Sequence, residues 1–494
     1  MARLIDLLEA GTMVAAQRPW PRSVVEAAAW KYAGEQLAEG HWSLLGLWAE
    51  PEQVHMALRE PASEQVGVIS LACPEGHFPS IGHRHPPAIR LERSARDLFG
   101  LRPDGLEDTR PWLDHGCWPG GGRPEAAHYE FLPVEGPSLH QVPVGPVHAG
   151  IIEPGHFRFT ANGETIVRLE ERLGYVHKGI EKLMAGRDPT AAARLAARSS
   201  GDSTVAYGIG FALAVEAALQ VPVPPRAHWL RALMAELERL ANHLGDIGAV
   251  CNDAAFALMH THCGALREQV LRTAQACFGH RLMRDRVVPG GVAVDLDDAG
   301  EAAVQTLLDH IGAEFPALVE LYENTASLQD RTMGTGCLSS QLARQFGAGG
   351  YVGRASGQDR DARRRPGYAP YGELEFAVPS RMDGDVNARL WIRIEEVQQS
   401  MGMLRQILAR LPAGEIRIDL PAAAGEGLSL VESFRGELLT WLRLDAAGRI
   451  ERCHLRDPSW FQWPLLEAAV EGNIIADFPL CNKSFNCSYS GHDL

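Results

Sequence analysis

The chain comprises 494 residues, of which 46% are hydrophobic and 22% are charged. Such a length predicts two or three domains, and such a composition is typical of soluble globular proteins. The formal net charge of −15 argues against a nucleic acid as the main partner, since a protein that neutralises phosphates needs a basic face.

The sequence shows neither a membrane-spanning segment nor a secretion signal. The longest uncharged apolar stretch, residues 203–215, is shorter than the roughly 18–20 residues that a bilayer helix requires, and it stops at Glu216. The first residues already contain Asp6 and Glu9, which do not fit a signal peptide. We therefore expect the chain to fold in the cytoplasm and to meet a membrane only through other subunits.

Nine cysteines are scattered along the chain without a single CxxC pair. An odd number of widely spaced cysteines in a chain without a signal sequence predicts reduced thiols rather than disulfides. No group of them has the spacing of an iron–sulfur ligand set held by this chain alone. The cysteines are Cys73, Cys117, Cys251, Cys263, Cys277, Cys337, Cys453, Cys481 and Cys487.

The first predicted elements form a small α/β domain, residues 1–118. Residues 65–73 (QVGVISLAC) indicate a buried strand, and residues 91–100 an amphipathic helix that ends at Gly100, where a left-handed cap fits. Residues 119–146 are rich in glycine and proline and predict an extended linker, because such a stretch sustains neither a helix nor a central strand.

The remaining part, residues 147–494, opens with a hairpin signal. The dipeptide Asn162-Gly163 separates the runs 156–159 and 165–169, and Asn-Gly is the dipeptide that tight hairpin turns favour. A hairpin at this point predicts that strands flank the second domain.

Helices are predicted to dominate from about residue 178 onward. Leucines at three- and four-residue steps give residues 226–245 one apolar stripe, and a second stripe follows residues 390–408. Residues 346–366 predict a loop with a basic tip, and strands are expected near residues 437–444 and 449–455. The predicted fold class is therefore α+β, with a helical bundle and a flanking hairpin and sheet.

Six segments of the second part follow one another in a characteristic order. They are 148–159 (HAGIIEPGHFRF), 174–182 (GYVHKGIEK), 226–244 (RAHWLRALMAELERLANHL), 355–357 (ASG), 381–389 (RMDGDVNAR) and 431–437 (VESFRGE). In this order they resemble the large subunit of respiratory complex I and of membrane-bound NiFe hydrogenases. Residues 78–80 and 92–100 resemble the small partner subunit of the same complexes, and a fusion of both subunits is the pattern of formate-hydrogenlyase-type large subunits. The resemblance implies a NiFe-hydrogenase-like large-subunit fold.

The resemblance also implies four positions at which metal-binding relatives carry the cysteine thiolates of nickel and iron. These positions are set by the Ala206-Tyr207 step and by the C-terminal segment 486–493, and here they hold Ala196, Ser199, Ser488 and Gly491. Because a methyl group, a hydroxyl or a hydrogen does not replace a soft thiolate, we expect no nickel. Cys481, Cys487 and His492 lie nearby in sequence, but their irregular spacing predicts a poor metal cage.

Complex I binds a quinone where the hydrogenases bind metal, and the resemblance implies the same use here. By position, His148 and Tyr207 correspond to the residues that hydrogen-bond the quinone head group, and Asp253 to the acid that partners the histidine. An imidazole and a phenol suit this role because quinone reduction needs proton donors, and a carboxylate behind an imidazole raises its pKa. His177 and Arg198 are weaker candidates for lining the cavity or facing a partner's cluster. The alternative interpretation is that His148 and Tyr207 are structural.

The resemblance therefore implies an electron-transfer subunit of a membrane-bound, ion-translocating oxidoreductase complex. The sequence has no nucleotide-binding motif, so electrons are expected from an iron–sulfur cluster in a small partner subunit, with a quinone-like acceptor and no tightly bound cofactor in this chain. Antiporter-like membrane subunits are the other expected partners, and the expected location is peripheral, on the cytoplasmic side of the inner membrane. Two alternatives stay open: a hydrogenase-type subunit with a degenerate NiFe site, and a non-redox coupling or scaffold subunit.

Overall fold

The computed structural model describes residues 3–116, 118, 129–148 and 152–494. Helices make up 46% of it and strands 19%, which confirms the predicted mixed fold. The helices are α1 (Leu4–Ala10), α2 (Ala27–Ala38), α3 (Ile89–Phe99), α4 (Ile180–Met184), α5 (Pro189–Ala196), α6 (Thr204–Leu219), α7 (Pro225–Asp253), α8 (Ala257–Phe278), α9 (Asp298–Asn324), α10 (Ala326–Thr332), α11 (Ser340–Gln345), α12 (Gly350–Ala355), α13 (Val386–Arg410), α14 (Ser459–Ala469), α15 (Phe478–Phe485) and α16 (Tyr489–Asp493). The strands are β1 (Thr12–Met13), β2 (Gln17–Arg18), β3 (Arg22–Val24), β4 (Ser43–Glu50), β5 (Gln53–Glu60), β6 (Gln65–Ala72), β7 (His77–Pro79), β8 (Arg102–Asp104), β9 (Leu139–Val144), β10 (His156–Asn162), β11 (Thr165–Arg172), β12 (Val287–Val288), β13 (Gly291–Val292), β14 (Gly425–Ser433), β15 (Gly436–Leu444) and β16 (Ile450–Arg456).

The N-terminal domain is built on a five-stranded sheet in the order β1-β3-β6-β5-β4. Helices α1, α2 and α3 pack against this sheet or its neighbouring strands. Strand β6 confirms the strand predicted for residues 65–73. Helix α3 ends at Gly100, whose φ of 73° is the predicted left-handed cap.

The N-terminal domain is tied into the second domain by a strand and by buried charges. Strand β2 pairs in parallel with β14, so that the C-terminal sheet has the order β16-β15-β14-β2. Arg22 and Glu426, both nearly fully buried, form an ion pair at 2.8 Å across the boundary. The indole of Trp48 stacks on the imidazole of His454 with ring centroids 5.1 Å apart. The two parts therefore share one interior rather than meeting loosely.

The structure differs from the expected linker in its second half. Strand β9 pairs antiparallel with β10, and the small sheet has the order β11-β10-β9. Because β9 lies at the edge, it tolerates Pro143, which has no N–H to donate. The expected extended segment 119–128 lies outside the described residues. Strands β10 and β11 confirm the predicted hairpin around Asn162 and Gly163.

The helical part of the second domain contains the two predicted stripes. Helix α7 buries the five leucines of its stripe and packs against α8 and α13. Helix α13 buries most of its own stripe, and α9 packs beside α8. Strands β15 and β16 confirm the strands predicted near the C-terminus.

Helix α6 occupies the centre of the second domain. Within the described ranges, Gly201–Leu219 is the one helical stretch long and apolar enough to cross a membrane by length and composition, and most of it is buried inside the protein. It lies on β14 at backbone distance, since a Cβ built on Gly427 would overlap the carbonyl oxygen of Ala214. At the other end of α6, the residues that precede its first turn contact the C-terminal segment through Ser200 and Ser488.

Candidate functional site

Two segments that are distant in sequence meet at the start of α6. The hydroxyl oxygens of Ser200 and Ser488 are 2.9 Å apart, and both side chains are buried. Ser488 also caps α16, because its Oγ accepts a hydrogen bond from the backbone N–H of Gly491 at 2.9 Å. The structure therefore brings together the two stretches in which the metal-binding relatives were predicted to carry their thiolates.

Tyr207 forms the polar centre of this region. It lies in the first turn of α6, is fully buried, and donates its hydroxyl to Oδ2 of Asp457 at 2.7 Å. The other carboxylate oxygen of Asp457 accepts the backbone N–H of Ser459 at 2.8 Å. Burial and the neighbouring Asp457 raise the pKa of Tyr207 well above its usual value of 10. The phenol is thus a protonated donor held by a carboxylate.

The four predicted metal positions are all buried beside this pair. Ala196 is the last residue of α5 and Ser199 lies three residues beyond it, and the hydroxyl of Ser199 has no hydrogen-bond partner among the described residues. A Cβ built on Gly491 would stand 2.5 Å from Oδ2 of Asp457. Nickel and iron need thiolate ligands, and these four residues offer only a methyl group, two hydroxyls and a hydrogen. The donor set therefore does not suit a NiFe centre.

An ion pair that is buried only on its arginine side borders the serine contact. Arg435 pairs with Asp202 at 2.5 Å and also donates to the hydroxyl of Ser203. Burial alone would raise the pKa of Asp202, but the Arg435 guanidinium lowers it below its usual value. Sequence reasoning did not single out Asp202, Arg435 or Asp457. Arg435 alone had a signal, since it lies inside the family-like segment 431–437.

His148 lies at a different edge of the site. Its Nε2 bonds to the backbone carbonyl of Gly155 at 2.7 Å, and its ring lies 5.8 Å from that of Phe157. A Cβ on Gly155 would stand 2.6 Å from the ring of Tyr489 on α16. Among the described residues, no hydrogen bond or ion pair joins His148 to Tyr207. Both nevertheless lie next to α16.

Asp253 is not brought to His148. It is the last residue of α7, and its pKa is raised by burial although Lys483 opposes the shift. Asn242 on the same helix donates to the backbone carbonyl of Asp202 and so reaches the Tyr207 region. Asp253 lies about three helical turns, roughly 16 Å, beyond Asn242. Neither a hydrogen bond nor an ion pair joins the described residues Asp253 and His148. Their catalytic pairing stays a prediction.

The weaker candidates separate in the same way. His177 donates from Nδ1 to the backbone carbonyl of Asp493 at 2.7 Å and so touches the C-terminal segment. Arg198 is exposed and pairs with Asp285 at 2.7 Å, which turns its charge toward the surface.

Cys481, Cys487 and His492 do not converge on a common point. Both ring nitrogens of His492 are engaged, since Nε2 accepts from the indole of Trp112 at 3.2 Å and Nδ1 bonds to Asp493 at 2.8 Å. Over the described residues, no group of three or more His, Cys, Asp or Glu side chains is placed to hold a metal ion.

Glu238 is a further ionisable group at the start of α6. Its carboxylate accepts the backbone N–H groups of Val205 at 2.7 Å and Ala206 at 3.1 Å. Burial raises its pKa to about 8 despite these hydrogen bonds. Glu238, which belongs to α7, thus binds the backbone of the two residues that directly precede Tyr207.

Comparison with known families identifies two signatures that follow one another along the chain. Residues 253–424 and 417–493 match the family "Respiratory-chain NADH dehydrogenase, 49 Kd subunit". Residues 178–245 match "Nickel-dependent hydrogenase". The two matched regions together run from the first helix after the hairpin to the C-terminal segment.

Individual relatives agree with this. Formate hydrogenlyase subunit 5 of Escherichia coli is 32% identical over 84% of this chain and 77% of its own length. Hydrogenase-4 component G of Escherichia coli is 30% identical over 89% of this chain and 80% of its own length. One subunit of the NADH-quinone oxidoreductase of Dehalococcoides mccartyi is 33% identical over 68% of this chain and 92% of its own length.

The fold is also that of a solved structure. A chain of the membrane-bound sulfane sulfur reductase, an archaeal respiratory membrane complex, superposes with a TM-score of 0.69 at 24% identity, over 72% of this chain and 99% of that one. Its sequence identity is too low to argue beyond the fold. The relatives above, each at least 30% identical over more than two thirds of its own length, show that this chain belongs to the family of complex I 49-kDa subunits and NiFe-hydrogenase large subunits.

Proposed function

We propose that this chain is the electron-transfer subunit of a membrane-bound oxidoreductase complex that reduces a quinone-like acceptor beside Tyr207. The observation that supports the proposal best is the Tyr207–Asp457 hydrogen bond in the region where metal-binding relatives hold nickel and iron. The relatives that share most of the chain are subunits of formate hydrogenlyase, hydrogenase-4 and NADH-quinone oxidoreductase.

The chemistry of such an acceptor matches the groups present. Reducing a quinone to a quinol takes up two electrons and two protons, so each carbonyl oxygen needs a donor. Tyr207 offers a phenol that stays protonated at neutral pH, with Asp457 behind it. His148 offers an imidazole that bonds to Gly155, and Gly155 packs against Tyr489 of α16. This chain's part in the reaction is to hold the acceptor's oxygens and to supply protons.

Electrons would come from outside this chain. Its sequence has no nucleotide-binding motif, and the eight thiols in the described part of the chain are free and mostly buried. The proposed donor is an iron–sulfur cluster in a small partner subunit, and the proposed further partners are antiporter-like membrane subunits that move ions. The N-terminal domain would take the place of the C-type small subunit that it resembles, which is a different subunit from the proposed iron–sulfur partner. The complex would sit with this chain on the cytoplasmic face of the inner membrane.

A non-redox coupling role is the second candidate. It is favoured by the full burial of Tyr207 and by the engagement of its only hydroxyl with Asp457, which is also how a structural tyrosine is held. A hydrogenase role finds less support, because the side chains at residues 196, 199, 488 and 491 do not match what a NiFe centre requires.

The variant Tyr207→Phe in the assembled complex distinguishes these roles. Loss of a general acid costs roughly 10²–10⁴-fold in rate, so we expect acceptor-dependent turnover to fall by about a hundredfold or more while assembly is kept. Tyr322→Phe is the matched control, since Tyr322 is also fully buried and donates its hydroxyl to Asn387 at 2.6 Å. Its loss removes a comparable hydrogen bond from the helical bundle and should leave turnover unchanged.

The opposite outcome would support the scaffold role. Turnover with a quinone that stays at the wild-type level in Tyr207→Phe and in His148→Ala, with the complex intact, contradicts the redox proposal. A fall in both Tyr207→Phe and Tyr322→Phe would mean that loss of stability, not loss of a proton donor, lowers the rate.

A further inference from the structure

A run of carboxylate and hydroxyl side chains leads from the protein surface to Tyr207. Its outer end is Asp202, whose side chain is 36% exposed. Its inner end is Asp457, the buried carboxylate that accepts the Tyr207 hydroxyl at 2.7 Å. Because Tyr207 is fully buried, a phenol that has given up its proton there cannot take one back from bulk water directly. Repeated proton donation by Tyr207 therefore needs a route through the protein.

Two buried serines connect the outer end of this run to the C-terminal segment. The hydroxyl of Ser200 donates to Oδ1 of Asp202 at 2.8 Å. The hydroxyl oxygen of Ser200 also lies 2.9 Å from that of Ser488, and either hydroxyl can be the donor in this contact. A hydroxyl both donates and accepts a hydrogen bond, so each serine can take up one proton and release another.

The next step of the run crosses the space beside Gly491. A Cβ built on Gly491 would stand 2.9 Å from Oγ of Ser488 and 2.5 Å from Oδ2 of Asp457. Since glycine has only a hydrogen there, the two oxygens face the same small space and lie within the span of one bridging water molecule. Oδ2 is also the atom that accepts the Tyr207 hydroxyl. The run is therefore continuous from Asp202 to Tyr207 apart from this one gap.

Protons are available at the outer end of the run. Asp202 and Glu238 line a small cavity of about 10 Å³ together with Arg281, whose side chain is 46% exposed, and this is close to the smallest volume that holds one water molecule. Burial raises the pKa of Glu238 to about 8, and the charge of Asp202 adds to this shift. Although burial opposes it, the Arg435 guanidinium keeps the pKa of Asp202 below its usual value. Glu238 thus stores a proton at neutral pH, and Asp202 passes one on rather than holding it.

We propose that Asp202, Ser200 and Ser488 form a proton relay that returns a proton to Tyr207 after each donation to the acceptor. The relay deepens the proposed function and rests on it. Tyr207 gives one proton to a carbonyl oxygen of the acceptor, whose electrons come from the partner's iron–sulfur cluster. The phenolate then receives one proton through Asp457. Each hydroxyl accepts a proton on one side and releases its own on the other, so one proton from solvent replaces the one lost. No electron passes along the relay.

The variants Ser200→Ala and Ser488→Ala in the assembled complex test the relay, because each removes one hydroxyl. Return of the proton then limits the rate, so we expect acceptor-dependent turnover to fall by about tenfold or more. We also expect the ratio of the rates in H₂O and D₂O to exceed the wild-type ratio, which damage to the structure alone would not raise. Ser199→Ala is the matched control, since its hydroxyl is buried next to Ser200 but has no hydrogen-bond partner among the described residues. Its turnover and isotope effect should stay at the wild-type level.

Two results would overturn the relay. One is a Ser200→Ala complex whose turnover and solvent isotope effect match those of Ser199→Ala. The other is slower turnover in both relay variants with the wild-type isotope effect, which would make the two serines structural. Ser488 also caps α16, whereas the Ser200 side chain caps no helix, so Ser200→Ala keeps the test valid if Ser488→Ala does not assemble.

The variant Tyr207→Phe separates failure of the relay from failure of the proposed function. Slow turnover in Tyr207→Phe with wild-type turnover in both serine variants refutes the relay alone. Wild-type turnover in Tyr207→Phe refutes the proposed function, and the relay with it.

Discussion

Adding a single methyl group at residue 491 tests whether the Tyr207 site is closed around Asp457. The Cβ of Gly491→Ala would stand 2.5 Å from Oδ2 of Asp457 and 2.9 Å from Oγ of Ser488. Asp457 cannot withdraw freely, since its two oxygens accept hydrogen bonds from Tyr207 at 2.7 Å and from the backbone of Ser459 at 2.8 Å. The substitution therefore forces either overlap or the loss of a buried hydrogen bond.

The expected cost follows from these two routes. Forcing an extra methyl group into a packed interior costs about 1–3 kcal/mol. If Asp457 moves away instead, the buried hydroxyl of Tyr207 loses its acceptor, which costs about 1–3 kcal/mol. Alanine recovers up to about 1 kcal/mol through its higher helix propensity. We expect Gly491→Ala to lower the free energy of unfolding by up to about 3 kcal/mol.

Urea unfolding followed by tryptophan fluorescence measures this change. The control is Gly402→Ala in α13, where a Cβ meets nothing within 4 Å, so that helix propensity makes the variant equally stable or up to about 1 kcal/mol more stable. A Gly491→Ala protein that unfolds at the same urea concentration as Gly402→Ala would refute the inferred closure.

Three other changes test separate parts of the structure. Arg22→Ala leaves the buried carboxylate of Glu426 with Arg443, at 3.9 Å, as its counter-charge, and should destabilise the chain by up to about 3–5 kcal/mol, the usual cost of breaking a buried pair. The loss is measured as a shift of the urea midpoint and as faster proteolysis, and no shift would mean that the two domains are not held together by this pair. The pKa of Glu238 is about 8 in the folded chain against 4.5 in the unfolded chain, so its contribution to stability is present below pH 4.5 and is lost as the pH rises to 8. Glu238→Gln should therefore flatten the decline of the free energy of unfolding between these pH values, as measured by urea unfolding. An unchanged pH profile contradicts the raised pKa. Arg198→Ala removes only an exposed pair with Asp285 and should change stability by less than about 1 kcal/mol, and a large loss of turnover would show instead that Arg198 faces a partner.

The local parts of the fold could be predicted from the sequence because their signals are local. Leucines at helical spacing predicted α7 and α13, and the Asn162-Gly163 dipeptide predicted the β10–β11 hairpin. The second half of the expected linker was different, because Leu139–Val144 finds a partner in β10. An edge strand accepts a proline and needs few apolar residues, so its sequence looks like that of a linker.

The site was predicted only in part, because its contacts join residues far apart in the chain. The sequence predicted two stretches of the site, one just before Ala206 and one in the C-terminal segment. The structure shows that these stretches touch through Ser200 and Ser488. No local pattern could reveal that Tyr207 bonds to Asp457. That contact depends on how β16 and α14 pack against α6, which is a property of the whole domain.

The bond between Tyr207 and Asp457 and the glycine at residue 491 depend on each other. Oδ2 of Asp457 occupies the space into which any side chain at residue 491 would extend. A cysteine there would displace this carboxylate and with it the acceptor of the Tyr207 hydroxyl. A chain that binds metal through residue 491 therefore cannot also hold Asp457 in this position. An acceptor's carbonyl oxygen, by contrast, could replace Oδ2 as the partner of Tyr207 without any ligand from residue 491. The geometry of this one contact thus makes thiolate-held metal and a phenol–carboxylate donor pair mutually exclusive at the start of α6.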